Sequence, residues 1–286
     1  MRRAPAEAVV SLAALDLRRR PDHRAELGTQ LLLGERLQVL PGPARSGWVR
    51  VRSLEDRYAG WVREWGLAVM SRAEAARWTR AATGRLRALF AEALAKPGSG
   101  GLVSPLLFGS RFRLGRRRGA WREIAMPDGR HGWLRSRLVR DVRERPPGFR
   151  SRIHGLLGVP YLWGGRTATG LDCSGFTQLV LREQGIELPR DARDQFRASR
   201  GLEPGEKPRA GDLVFFARPG QDPSHVGIYL RDGTFVHCRG DVHIGSILFG
   251  NSLSENELIT QFVAFRRPAP GRSRGAGTVR RGGESA

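Results

Sequence analysis

The stretch QLLLGERLQVL at residues 30–40 returns, altered but legible, as PLLFGSRFRLG at 105–115. GWVRV at 47–51 corresponds to AWREI at 120–124, and AGWVREWGL at 59–67 to HGWLRSRLV at 131–139. The offset falls from 75 to 73 to 72 residues along the copies, so small deletions separate them. Each copy is a set of short alternating apolar runs broken by Gly, Pro and Asp, a β-rich pattern with closely spaced turns. A unit of about 60 residues suits a small barrel of about five or six strands. Trp48, Trp61, Trp121 and Trp133 recur within the copies and would supply core or groove area.

The repeat divides the chain. Residues 1–70 form the first unit and 85–142 the second. Between them SRAEAARWTRAATG (71–84) reads as a helix, with Ser71 and Glu74 in a capping box and Gly84 as the stop. RERPPGFR (143–150) is a Pro-rich linker into a third unit, 151–267. The stretch 268–286 has almost no large apolar residue and is expected to be a disordered basic tail.

Lys and Arg total 49 against 28 Asp and Glu, a net charge of +21. That charge favours anionic partners, but it is spread along the chain and mostly Arg. With no zinc-finger spacing and no aromatic RNA-binding motif, specific nucleic-acid binding is not expected. No run of 18 apolar residues is present, so no membrane span is expected. At the start, the apolar run from Ala8 to Leu15 is cut short by Asp16 and the arginines. It reads as the first strand of a domain rather than a signal peptide, which points to the cytoplasm, with the periplasm or secretion as the alternative. Two cysteines cannot make a disulfide framework.

One of those cysteines sits in GLDCSGFTQLVLREQG (170–185). Asp172 is a favoured N-cap, Phe176, Leu179 and Val180 share a face, and Gly185 ends the pattern. Cys173 therefore lies in the first turn of a helix. The helix dipole and unpaired N–H groups there favour a thiolate, and the same N–H groups could hold an oxyanion. Alone, Cys173 is equally well read as a small buried residue. A nucleophile needs a base, and PSHVGIYLRDGTFVHCRGD (223–241) offers His225 and His237 on a hairpin. A two-residue loop at Asp232–Gly233 would put the histidines on opposite faces. A three-residue loop pairs position 227 with 237 and makes them diagonal neighbours on one face, with Val236 and Cys238 on the apolar side. The three-residue loop keeps both faces consistent. It gives Cys173 as nucleophile, His225 as base and His237 as the group that orients His225. A zinc site on Cys173, His225 and His237 lacks paired ligand spacing, so no metal or cofactor is expected.

YLWGGRTATGLDCSGFTQLV, LPRDARDQ, KPRAGDLVFF and SHVGIYLRDGTFVHC resemble the NlpC family of bacterial cell-wall cysteine peptidases, and LLxGxR with GWV resembles bacterial SH3-like barrels. The resemblance implies an α+β fold: a papain-like catalytic domain preceded by two small all-β SH3-like barrels. The whole chain is similar to the γ-D-glutamyl-L-diamino-acid endopeptidases. That likeness implies cleavage between γ-D-Glu and meso-diaminopimelate or L-Lys in peptidoglycan stem peptides with a free N-terminal L-Ala. It makes muropeptides the expected partners of a monomer. It further implies that Tyr161 lies beside the nucleophile and binds substrate or the oxyanion, and that Asp172 and Ser174 shape the adjoining subsite. Arg190 would pair the α-carboxylate of D-Glu, and Asp191 the L-Ala ammonium. From the first barrel, Glu26 and Tyr58 would close the pocket, with Glu35 as a second acidic candidate. Related enzymes often carry Ser where Ala192 stands here. The competing readings are an amidase or acyltransferase of the same fold, and a non-catalytic wall-binding protein.

Overall fold

The computed structural model describes residues 7–42, 46–144 and 148–269. The expectations for the extreme N-terminus, the middle of the 143–150 linker and the tail beyond 269 fall outside these residues.

The first unit holds β1 (Glu7–Val10), β2 (Ala14–Arg18), β3 (Leu27–Leu32), β4 (Arg36–Val39), β5 (Trp48–Ser53), β6 (Ala59–Arg63) and β7 (Leu67–Met70). The helix α1 (Arg72–Ala81) follows, its capping box made by Ser71 and Glu74. The second unit holds β8 (Gly84–Leu86), β9 (Phe90–Lys96), β10 (Ser99–Leu107), β11 (Arg111–Arg118), β12 (Trp121–Ala125), β13 (His131–Arg135) and β14 (Val139–Asp141). The sheet orders are β3-β2-β6-β5-β4-β1-β7 and β10-β9-β13-β12-β11-β8-β14. Adding seven to each label of the first gives the second, so the sequence repeat is a repeat of topology.

Each sheet has seven strands rather than five or six, because the two ends of each unit pair with each other. β1 runs antiparallel to β7 from Glu7↔Met70 to Val10↔Leu67, and β8 pairs β14 in the same way. Alternation drives the strands: in β2, Leu15 and Leu17 are buried between half-exposed neighbours. The glycine of LLxGxR is fixed by backbone geometry in both copies. Gly34 and Gly109 each adopt φ 85°, a turn that a side chain would strain.

The third unit is α+β. Its helices are α2 (Phe149–Leu156), α3 (Cys173–Arg182), α4 (Ala192–Ala198) and α5 (Asn256–Thr260). Its strands are β15 (Arg166–Thr167), β16 (Gly170–Leu171), β17 (Arg200–Gly201), β18 (Leu213–Phe216), β19 (His225–Arg231), β20 (Thr234–Arg239), β21 (Asp241–Ser246) and β22 (Phe262–Arg267). Six of these make an antiparallel sheet in the order β17-β22-β18-β19-β20-β21. Helix α3 packs on β19 and β20, and every one of its residues but Arg182 is buried. No helix among the described residues is long and apolar enough to cross a membrane.

Each barrel has a core of its own, and one further cluster spans all three units. Leu32 of the first unit and Leu107 and Phe108 of the second join Phe176, Leu179, Val226 and Ile228 in a single core cluster. A buried ionic chain runs beside it. Glu35 pairs with Arg166 and with Arg182 Nη1 (2.5 Å), Arg182 also meets Glu55, and Arg111 Nη1 lies 2.6 Å from Glu55. Removing one member of such a buried network costs about 3–5 kcal/mol, because the rest are left charged and unpaired. Glu35 is thus committed to interdomain contact at 1% exposure, not held in a loop facing substrate. These contacts fix the first barrel against β15 and the C-terminal end of α3.

Candidate active site

Asp172 caps α3: its Oδ1 accepts from Gly175 N at 2.6 Å and its Oδ2 from Gly164 N at 3.0 Å. Gly164 sits at φ 75°, and a Cβ there would lie 2.2 Å from Leu27 O of the first barrel, so only glycine permits this approach. The cap holds Cys173 in the first turn, and its Sγ lies 3.9 Å from the carbonyl of Ser224, the residue preceding His225. The expected stabilised thiolate is not the resting state. Burial, and then the Asp172 carboxylate, push the Cys173 thiol up to about 12, outweighing the Val226 N–H, the Arg190 charge and the Ser174 N–H of the first turn. Cys238 is a free, fully buried thiol donating to Leu171 O, as its place on the apolar side of β20 requires.

The β19–β20 hairpin differs in detail from the expected loop. Asp232 (φ 48°) and Gly233 (φ 74°) make a two-residue turn, and Arg231 pairs Thr234. A register shift between Tyr229 and Arg231 then restores Gly227↔His237. The bulge supplies the extra residue that a longer loop was expected to supply, so both histidines still face one way. His225 Nε2 lies 2.8 Å from His237 Nδ1, with the rings edge to face. That contact occupies Nε2 of His225, so Nδ1 is the ring nitrogen that His237 does not engage. Burial, followed by the positive charges of Arg239 and His243, lowers His225 to about 4. The site therefore rests as neutral thiol and neutral imidazole.

Cys173 and His225 line a cleft of about 340 Å³ with Tyr161, Asp172, Ser174, Arg190 and Asp191, and with Glu26 and Tyr58 of the first barrel. His237 stands behind His225, fully buried. Burial, and then the carboxylate of Asp191, push the Tyr58 phenol up to about 12, and burial also raises that of Tyr161. Both hydroxyls keep their protons at neutral pH and remain donors. Burial likewise raises the Asp191 carboxyl.

Arg190 does something other than the expected pairing with a substrate carboxylate. At 2% exposure it grips Asp172 with two bonds (3.0 and 2.6 Å), and donates to Ser174 Oγ (2.9 Å) and Thr29 Oγ1 (2.8 Å). It thereby fastens the helix cap to the barrel. Sequence reasoning also passed over Trp163, Arg19 and Arg193, which line the cleft. Trp163 Nε1 donates to Glu26 Oε1 at 3.0 Å across the domain boundary. An exposed aromatic next to two glycines was the available signal; its partner, 137 residues away, left none.

This arrangement, a helix-cap cysteine facing a hairpin histidine pair beneath an SH3-like wall, has close counterparts. The NlpC/P60 family matches residues 158–267, and the bacterial dipeptidyl-peptidase SH3 domain matches 17–67. The chain thus carries an NlpC/P60 domain preceded by a bacterial dipeptidyl-peptidase SH3 domain. The γ-D-glutamyl-L-lysine dipeptidyl-peptidase of Bacillus subtilis is 46% identical over 83 residues, 28% of each chain. A Bacillus cereus protein of the same name is 35% identical over 123 residues, 40% of this chain and 37% of that one. The matched stretches thus span well under half of those relatives. The crystal structure of an NlpC/P60 family protein from Bacillus cereus superposes with a TM-score of 0.78 at 23% identity. It covers 92% of this chain and 99% of its own, which shows a common three-unit fold.

Proposed function

We propose that this protein is a cysteine peptidase that hydrolyses the γ-D-Glu–diamino-acid bond of murein stem peptides whose N-terminal L-Ala is free. The observation that carries the reading is the composition of the cleft: Glu26 and Tyr58 of the first barrel share it with Cys173, His225 and Asp191. A peptide lying across Cys173 shares the cleft with this wall, where the Glu26 carboxylate of the barrel and the Asp191 carboxylate of the third unit are both presented. An ammonium is matched there, whereas a longer or acylated chain leaves the carboxylates unpaired in a partly buried site, at a cost of several kcal/mol. The relatives' names, dipeptidyl-peptidases acting at γ-D-glutamyl-L-lysine, agree with that geometry.

The chemistry proceeds from the neutral pair. Cys173 Sγ attacks the γ-carbonyl of D-Glu as its proton passes to His225 Nδ1, and the carbonyl electron pair moves to oxygen. First-turn N–H groups and the Tyr161 hydroxyl donate to that oxyanion. His225 then protonates the departing diamino acid, leaving a thioester on Cys173. Water, deprotonated by the same imidazole, releases L-Ala-γ-D-Glu and regenerates the thiol. His237 holds the ring in register throughout. With Arg190 committed to Asp172, positive charge for the D-Glu α-carboxylate falls to Arg19 and Arg193 at the cleft.

The test is product analysis by mass spectrometry on L-Ala-γ-D-Glu-diaminopimelate and L-Ala-γ-D-Glu-L-Lys, each with a free and an N-acetylated amine. Release of L-Ala-γ-D-Glu from the free peptides alone is the expected result. Equal cleavage of the acetylated peptides, or of stems still joined to glycan, contradicts the walled cleft.

A further inference from the structure

Behind the histidine pair, three side chains converge. His237 and His243 are directly opposed across β20 and β21, and Glu255 stands immediately before α5. His243 Nε2 is 3.0 Å and His237 Nε2 3.7 Å from the same Glu255 oxygen, and one donor atom from each residue lies within 4.8 Å of the other two. His237 is fully buried, yet its Nε2 has no hydrogen-bond partner among the described residues. A buried ring nitrogen left unpaired is costly, and a bound ion or water is the usual resolution.

The outer contacts favour an ion. Metal-bound histidine characteristically fixes its second nitrogen with a hydrogen bond. Here His243 Nδ1 faces Asp241 Oδ1 at 2.8 Å, and His237 Nδ1 faces His225 Nε2 at 2.8 Å. The second Glu255 oxygen lies 3.5 Å from Arg239 Nη1. Two imidazoles and one carboxylate are a donor set for a borderline divalent ion such as Zn²⁺, with water as a fourth ligand. His243 and Glu255, at 33% and 21% side-chain exposure, give it a route from solvent.

We propose that His237, His243 and Glu255 bind a zinc-class divalent cation, and that its binding switches off the chemistry at Cys173. The switch is tautomeric. An ion on His237 Nε2 requires the proton on Nδ1, which must then donate to His225 Nε2. The His225 proton is thereby confined to Nδ1, the nitrogen that has to accept from the thiol. Metal occupancy and a competent base exclude each other. The inhibitory half of this proposal rests on the peptidase reading above; the binding half does not.

The experiment has two arms, both on tag-free protein. In the first, ZnCl₂ is titrated calorimetrically into Cys173→Ala, which removes the nucleophile as a competing ligand. The same titration follows in that background with His243→Ala or Glu255→Gln, each checked for folding by circular dichroism. One ion per chain is expected, with affinity falling at least about tenfold in either double variant. A flat titration of Cys173→Ala, or affinity untouched by both ligand changes, overturns the site. In the second arm, hydrolysis of the free tripeptide is followed with ZnCl₂ and with MgCl₂. Zinc alone should inhibit, and His243→Ala should need at least about tenfold more of it, relative to its own metal-free rate. Zinc binding without inhibition overturns the switch. Absence of hydrolysis in metal-free buffer counts against the peptidase reading instead, with the binding arm unaffected.

Discussion

Replacing Arg190 with Met distinguishes a structural clamp from a substrate ligand. The Asp172–Arg190 pair is 2.6 Å long, with side chains 11% and 2% exposed. Removing the guanidinium strands a nearly buried carboxylate, which costs about 3–5 kcal/mol. Asp172 keeps its bonds from Gly164 N and Gly175 N, so the lower end, about 3 kcal/mol, is the expectation. A second effect reaches Cys173. Asp172 already raises the thiol and Arg190 opposes it, so the variant carries a still higher thiol pKa, and each unit means about tenfold less thiolate. Urea unfolding followed by tryptophan fluorescence reads the first effect. The rate of Cys173 alkylation by iodoacetamide at fixed pH reads the second. Arg190→Met should unfold at markedly lower urea and alkylate more slowly than wild type. Wild-type stability and wild-type alkylation, with only KM raised, would refute the clamp and restore Arg190 as a ligand for substrate.

Glu35→Gln should lower the urea midpoint by the equivalent of about 3 kcal/mol, because Arg166 and Arg182 lose their shared carboxylate; a midpoint unchanged from wild type contradicts the buried chain. Stability should also fall on mild acidification. His225 binds its proton near 6.5 when unfolded but only near 4 when folded, so its contribution is complete above 6.5 and lost as pH drops toward 4. The span of about 2.5 units corresponds to about 3 kcal/mol, and melting curves at pH 7.5 and 4.5 should differ less for His225→Asn than for wild type. Trp163→Ala should raise KM for the tripeptide more than it lowers kcat, since the indole positions Glu26 from the cleft rim; an unchanged KM sinks that role.

The sequence makes the two repeats legible because each strand pattern is local and appears twice, and the structure returns one topology for both. The strand count is less accessible, since β1 and β8 pair with segments about 60 residues later. Cys173 and the histidine pair are legible from a helix cap and an alternating hairpin. The bulge at Leu230 is not, because a longer loop and a bulge have the same effect on which face His237 occupies. What escapes sequence reasoning is charge compensation across domains. Nothing local to Arg190 announces Thr29, nothing local to Glu35 announces Arg166 and Arg182, and the resting thiol depends on a burial that only the assembled cleft creates. His243 and Glu255 are missed for the same reason, since their meaning lies in the ring they face.

The central claim is that Cys173 is acylated by the L-Ala-γ-D-Glu portion of a murein peptide with His225 as base. Intact-mass spectrometry of enzyme acid-quenched during turnover, followed by peptide mapping, tests it directly. An adduct of the dipeptidyl acyl mass on the peptide containing Cys173, missing in Cys173→Ala and strongly diminished in His225→Ala, is the predicted result. Sustained hydrolysis by Cys173→Ala, or an adduct mapped to another residue, would contradict the account.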